Sequence, residues 1–232
     1  MARRGTASNI IVGAAQFFVA DDSLDYYTTT EGVTANGYYF TTSVGATPTT
    51  VPAFVPGTRY ADTLEATVGT YAYRNVGYTM NGLELIINPD FGAVKVDQLL
   101  DDAKLFKQGM TVQVKTGFAE STLENLMVAI AASTSDYDDN DPDELVLDLV
   151  SGELGECPLE RAIIAVGPGT GDCAATGADA VERVYFGYRA LSIDSVTASA
   201  KRDAPTTFDV TFRLLPTASG SYGKIVDRTV GP

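Results

Sequence analysis

Near the C-terminus the chain alternates apolar and polar side chains without a break. Phe208, Val210, Phe212 and Leu214 take one parity, and Asp209, Thr211 and Arg213 the other. Successive strand side chains point to opposite faces, so this period of two describes a strand with one dry and one wet face. A slip of one residue would put all four large apolar groups in water, so the run has to cover something. The run 110–116 repeats the pattern, with Val112 and Val114 against Gln113 and Lys115. Further β-rich runs lie at 10–20, 71–73, 76–80, 83–87, 93–96, 145–150, 161–166, 181–193 and 195–201. Between two of them stands Asn81-Gly82, the pair that a two-residue hairpin turn favours because both residues tolerate positive φ.

One helix is signalled. Ser121-Thr122-Leu123-Glu124 reads as a capping box, with the Ser121 hydroxyl accepting from the N3 amide and Glu124 reaching back to the cap amide. Leu123, Leu126, Met127 and Ile130 then recur at helical spacing and form one apolar face. A helix packed on a sheet is the expectation.

The stretch 32–69 reads differently. From residue 32 to residue 58 there is no charge, only Thr, Gly, Ser, Pro, small apolar residues and scattered aromatics. Pro48, Pro52 and Pro56 each remove a backbone donor, which argues against helix and against a central strand. A long extended loop, with a ragged hairpin in it, is expected over 32–69. Disordered segments are generally rich in charge, so an uncharged, aromatic-bearing excursion reads as a protein–protein contact surface.

Length and charge bound the rest. A chain of 232 residues buries roughly 70% of its unfolded surface and needs neither disulfide nor metal to hold a core; residues 1–232 read as a single domain. Sixteen Lys and Arg against thirty Asp and Glu leave a net charge of −14, which repels phosphates and argues against tight binding of nucleic acid or an anionic membrane. There is no His and no Trp, which removes Ser-His-Asp and Cys-His catalysis and imidazole metal sites. No residue is nominated as catalytic, cofactor-binding or metal-ligating, and an enzyme is not expected. No run approaches the ~20 apolar residues of a membrane-spanning helix. Arg3 and Arg4 ahead of the apolar run 10–20 sketch a signal peptide, but residues 5–9 separate the two and Gln16 interrupts the run. Bounded by Asn9 and Asp21-Asp22, the run reads as a strand.

Three local features invite a site and fall short of one. From 136 to 160 there are ten acidic residues and no basic ones, densest over 136–144. A calcium loop starting at Asp136 would need Gly at Asp141 and Glu at Leu147, so a solvated acidic loop is expected, with an irregular cation site as the alternative. The Gly-rich run 167–173 has Asp172 and Cys173 where a phosphate-binding loop requires Lys and Ser or Thr, and reads as a loop between strands. Cys157 and Cys173 fit no redox or zinc spacing; two thiols and one disulfide both stay open.

Eight or more short strands with one amphipathic helix point to a mainly β (α+β) chain, a β-sandwich or partly open barrel of two antiparallel sheets with one flanking α-helix. The run from Val76-Gly77-Tyr78-Thr79-Met80-Asn81-Gly82-Leu83-Glu84-Leu85 through Val96-Asp97 to Ala119-Glu120-Ser121-Thr122-Leu123-Glu124-Asn125-Leu126 resembles the major tail (tail tube) proteins of long-tailed bacteriophages. The closing Phe208-Asp209-Val210-Thr211-Phe212-Arg213-Leu214-Leu215-Pro216 is similar to the last strand of that family. The likeness is one of order and texture over residues 9–30 and 70–228. It implies a structural virion protein that assembles in the host bacterial cytoplasm as homo-hexameric rings stacked into a tube, the conduit for genome delivery. It also implies a tape-measure protein, a tail terminator and a distal tail protein as partners, with DNA passing through the lumen without sequence-specific binding. Residues 40–60 suit the loop between rings, and residues 1–8 and 217–232 the N- and C-terminal arms. A capsid decoration protein, another virion β-protein, or a secreted adhesin or carbohydrate-binding module would share the composition.

Overall fold

The computed structural model describes residues 13–20, 30–34, 37–41, 54–66, 73–95, 97, 101–141, 144–151, 159–170, 180–199, 202, 205–217 and 220–231. In chain order these form β1 (Gln16–Ala20), β2 (Thr30–Thr34), β3 (Gly37–Thr41), α1 (Tyr60–Ala66), β4 (Tyr73–Asn75), β5 (Thr79–Val94) and β6 (Lys104–Phe118). There follow α2 (Leu123–Ala129), a 3-10 turn at Thr134–Asp136, β7 (Tyr137–Asp141), β8 (Glu144–Leu147), β9 (Arg161–Pro168), β10 (Val181–Ser192), β11 (Phe208–Leu214) and β12 (Gly223–Thr229). The chain is mainly β, as its alternating runs require.

Eight strands join in one antiparallel sheet, in the order β4-β1-β9-β10-β11-β6-β5, with β12 also on β10. The first part of β10 lies between β9 and β12, and its end, Ala190 to Ser192, passes to β11. A register shift between Gly187 and Ala190 marks where it changes partners, the usual work of a bulge. The sheet therefore folds on itself, β11-β6-β5 facing β1 and β9.

Two cores result, on the two faces of β1 and β9. Phe17, Val19, Ile163 and Ala165 enter one, with Val112, Val114, Phe118, Phe208, Val210, Phe212 and Leu214 from β6 and β11, closed at one end by Met127, Val128 and Ala129 of α2. Phe17 stacks on Phe212 at 5.7 Å and 18° and meets Phe118 at 6.0 Å. Phe18, Ala20, Ala162, Ile164 and Val166 turn the other way, under Tyr60, Ala61 and Leu64 of α1. Burial on both faces is why β1 and β9 read as continuous apolar runs while β11 alternates.

Several expectations are corrected. The stretch 32–69 is not extended throughout: it contains α1, which begins after Pro56 and so escapes the proline argument. Tyr60 N–H, at the start of α1, donates to the carboxylate of Glu182 on a distant strand, at 3.0 and 3.1 Å. The hairpin expected there is β2–β3. Asn81-Gly82 does not turn the chain: with φ of 65° and 70° the pair bulges out of one long strand, β5, between Met80↔Gly117 and Glu84↔Lys115. The helix cap sits one residue late, at Thr122, whose hydroxyl accepts from Asn125 N–H at 3.2 Å. The apolar face turns with it, so Val128 is buried while Ile130 ends the helix 39% exposed. Glu124 lies 3.5 Å from Arg74 instead of bonding to the cap. Residues 195–199 form no strand. The C-terminal arm expected over 217–232 is in part β12, paired with β10 from Thr229↔Val181 to Gly223↔Gly187. A Cβ at Gly223 would collide with the Phe186 carbonyl, so the close approach of β12 requires that glycine.

Thr122→Ala is expected to lower stability by about 1 kcal/mol and Ser121→Ala by less than about 0.5 kcal/mol, read by urea denaturation; equal effects would contradict the cap assignment. Phe212→Ala is expected to cost about 3–5 kcal/mol, and an unchanged unfolding midpoint would contradict its place between the sheets.

Candidate assembly interface

β6 pairs with β11 only from Val112 to Phe118. From Lys104 to Thr111 its partner among the described residues is β5 alone, so the far halves of β5 and β6 run beyond the body as a two-stranded arm. Ala103 N–H donates to Val94 C=O at 2.8 Å across the base of the connecting turn. At ~3.3 Å per residue, the fifteen residues of β6 span about 50 Å, most of a domain's width. Pro89 is tolerated because β5 is the last strand of the sheet, where a missing donor faces no neighbour.

The arm is apolar toward its far end. Phe91 is 56% exposed and Leu105 62%, with Ile87, Val94 and Phe106 also exposed. Ala93 pairs with Leu105 and Gly92 with Phe106, so these groups lie along one short length of ribbon. A two-stranded ribbon with wet apolar side chains is marginal by itself, and an unpaired edge of sixteen residues is a template for another strand.

A second exposed ribbon lies at the other end of β6. After Phe118 the chain enters α2 and then β7, in the block expected as a solvated acidic loop, and β8, overlapping the run 145–150 expected as a strand. The two form a hairpin, with Tyr137 paired to Leu147 and Asp148 N–H donating to Asp136 C=O at 2.8 Å. Tyr137 and Leu147 pack against the core beside α2. Leu145, Val146, Leu149 and Val150 face solvent, Leu149 at 79%. Among the described residues no group of three or more His, Cys, Asp or Glu is placed to hold a metal ion. Cys157, Cys173 and the end of the Gly-rich run, 171–173, lie outside the described residues, as do residues 1–8.

The sandwich is open along one seam. β5 and β12 are both edges, and between them lies a cavity of about 290 Å³ lined by Phe17, Leu83, Leu85, Val112, Tyr185 and Tyr222. The Tyr222 hydroxyl bridges the seam, donating to Met110 C=O at 2.8 Å.

The end of the 32–69 excursion is tied down where it rejoins the body. Arg228 on β12 pairs through Nε with Glu182 at 2.9 Å and donates through Nη2 to Thr58 C=O at 2.5 Å. Its guanidinium lies 4.7 Å over the Phe54 ring, and Gly57 N–H donates to Val230 C=O at 2.6 Å. Burial pushes the Glu182 carboxyl above the usual range, against the Tyr60 amide and the Arg228 and Arg59 charges, which pull it down, while Asp62 adds to the rise. Sequence reasoning missed this cluster because Glu182 and Tyr60 are 122 residues apart and neither belongs to a motif.

No protein-family model matches the chain, and a search of curated proteins finds no significant match. No helix among the described residues is long and apolar enough to cross a membrane.

An acid whose folded pKa is raised binds more protons folded than unfolded, so its contribution to stability falls as pH rises. For Glu182 that contribution is greatest below the usual carboxylate range and is lost as pH climbs through the raised value. Glu182→Gln is expected to remove this component, so that the stability difference between wild type and variant changes with pH across the acidic range. Parallel profiles would contradict it.

Proposed function

We propose that this chain is a structural virion protein, the subunit of a bacteriophage tail tube, which forms hexameric rings that stack into the conduit for genome delivery. The observation that carries the reading is the β5–β6 arm: a long, exposed, apolar edge ribbon that stands beyond the packed cores of the sandwich. Such an edge is stable in water when another copy covers it, and cyclic symmetry is the ordinary way for identical chains to do so. The likeness in sequence order to tail tube proteins points the same way. The charge of −14 suits a lumen through which DNA slides without sticking. On this reading a tape-measure protein, a tail terminator and a distal tail protein are the heterologous partners, assembly takes place in the bacterial cytoplasm, and the protein resides in the virion tail.

Negative-stain electron microscopy of the purified protein over a range of concentrations tests the proposal. Six-fold rings or tubes are expected. Dispersed monomers at every concentration would count against it.

A further inference from the structure

The two exposed ribbons differ in charge as well as position. β6 carries Lys104, Lys107 and Lys115 and no acid, while 136–148 carries acids and no base. The arm's own acids, Asp90, Asp97, Asp101 and Asp102, stand on β5 and on the connecting segment, which leaves the β6 edge as its cationic side. Lys104 and Lys107 on that edge are exposed, and so are Glu144 and Asp148 on and just after β8. Each charged pair sits beside exposed apolar groups: Leu105 and Phe106 on the arm, Leu145 and Leu149 at the acidic hairpin.

Resting on the assembly reading above, we propose that the β6 edge of one copy's arm docks on the β7–β8 hairpin of a second copy. Lys104 and Lys107, which alternate to opposite faces of the ribbon, then flank the docked edge within reach of the hairpin acids, Glu144 and Asp148 among them, and the exposed apolar groups of both ribbons lie beside the contact. Two acidic hairpins brought together would repel, so a hairpin-to-hairpin contact is disfavoured and the contact between unlike ribbons is favoured. β6 lies between the two surfaces in the chain, the arm at its start and, through Phe118 and α2, the acidic hairpin beyond its end. The two ribbons lie toward opposite ends of β6, so a single arm-to-hairpin contact leaves one ribbon of each copy free and propagates, as a ring or as a stack, wherever two copies do not engage reciprocally. Both ribbons also have open backbone edges, since β8 pairs with β7 alone among the described residues and β6 with β5 alone from Lys104 to Thr111.

Charge reversal in the full-length protein tests the contact, with assembly followed by sedimentation velocity and electron microscopy. Lys104→Glu with Lys107→Glu, and separately Glu144→Lys with Asp148→Lys, should each raise the concentration needed for assembly by about tenfold or more. Mixing the two variants should restore assembly, because arm positions 104 and 107 and hairpin positions 144 and 148 then carry opposite charges at every contact between unlike copies. All four positions are exposed, so circular dichroism and melting should match the wild type and separate loss of assembly from loss of fold. Wild-type assembly that persists in either folded variant, or folded variants that stay apart when mixed, would overturn the docking while leaving the tail tube reading intact. A wild-type protein that never assembles would overturn both.

Discussion

Phe17 sits where the two halves of the folded sheet meet, stacked on Phe212 of β11 and tilted against Phe118 of β6. Its neighbour Phe18 points the other way, under α1. Both rings are 1% exposed, so the five-residue β1 is held from both sides and lets one strand serve two cores. The rest of the architecture depends on that arrangement: β9 lies beside β1 and shares its two-sided burial, and β10 must bend to reach both β9 and β11. The seam between β5 and β12 stays open because β10 divides its length between two neighbours and leaves β12 and β5 as separate edges.

The polar interactions attach peripheral segments to this centre. Asn125 on α2 is 1% exposed; its amide donates to Val76 and Glu120 carbonyls, both at 2.9 Å, and its oxygen accepts from Arg74 at 2.7 Å. That set joins α2 to β4 and to the start of β5. Glu182 and Arg228 do the same for α1 and the end of the long excursion. In each case a buried polar group is satisfied by partners from distant parts of the chain, which makes removing one partner more costly than removing both. The body is thus well tied together, while β5–β6 and β7–β8 hold exposed apolar groups that nothing among the described residues covers.

Strand content was legible because it rests on local alternation: β11 and β10 lie close to their expected bounds, while β6, expected over 110–116, begins six residues earlier, at Lys104. What went astray depended on distant partners. α1 is capped by a carboxylate from β10, so its own sequence carries no start signal. Asn81-Gly82 has the conformation its residues favour, but the long β6 beside it keeps the strand going and turns a hairpin signal into a bulge. β12 falls within 217–232, expected as a C-terminal arm, and becomes a strand through the edge that β10 offers. At the candidate interface, the acidity of 136–144 and the uncharged excursion were visible. The apolar arm was not, since Phe91, Leu105 and Phe106 look like ordinary core residues until the sheet leaves them outside.

By itself, the sequence determined a mainly β chain, a single capped helix near residue 122, a strongly anionic surface and chemistry without imidazole, because these follow from side-chain type and short-range spacing. Tertiary structure alone decided which strands share a core, where α1 begins, and which apolar groups remain exposed. Those outcomes turn on pairings between residues often more than a hundred positions apart, and burial is a property of what else arrives at a surface, which no local pattern encodes.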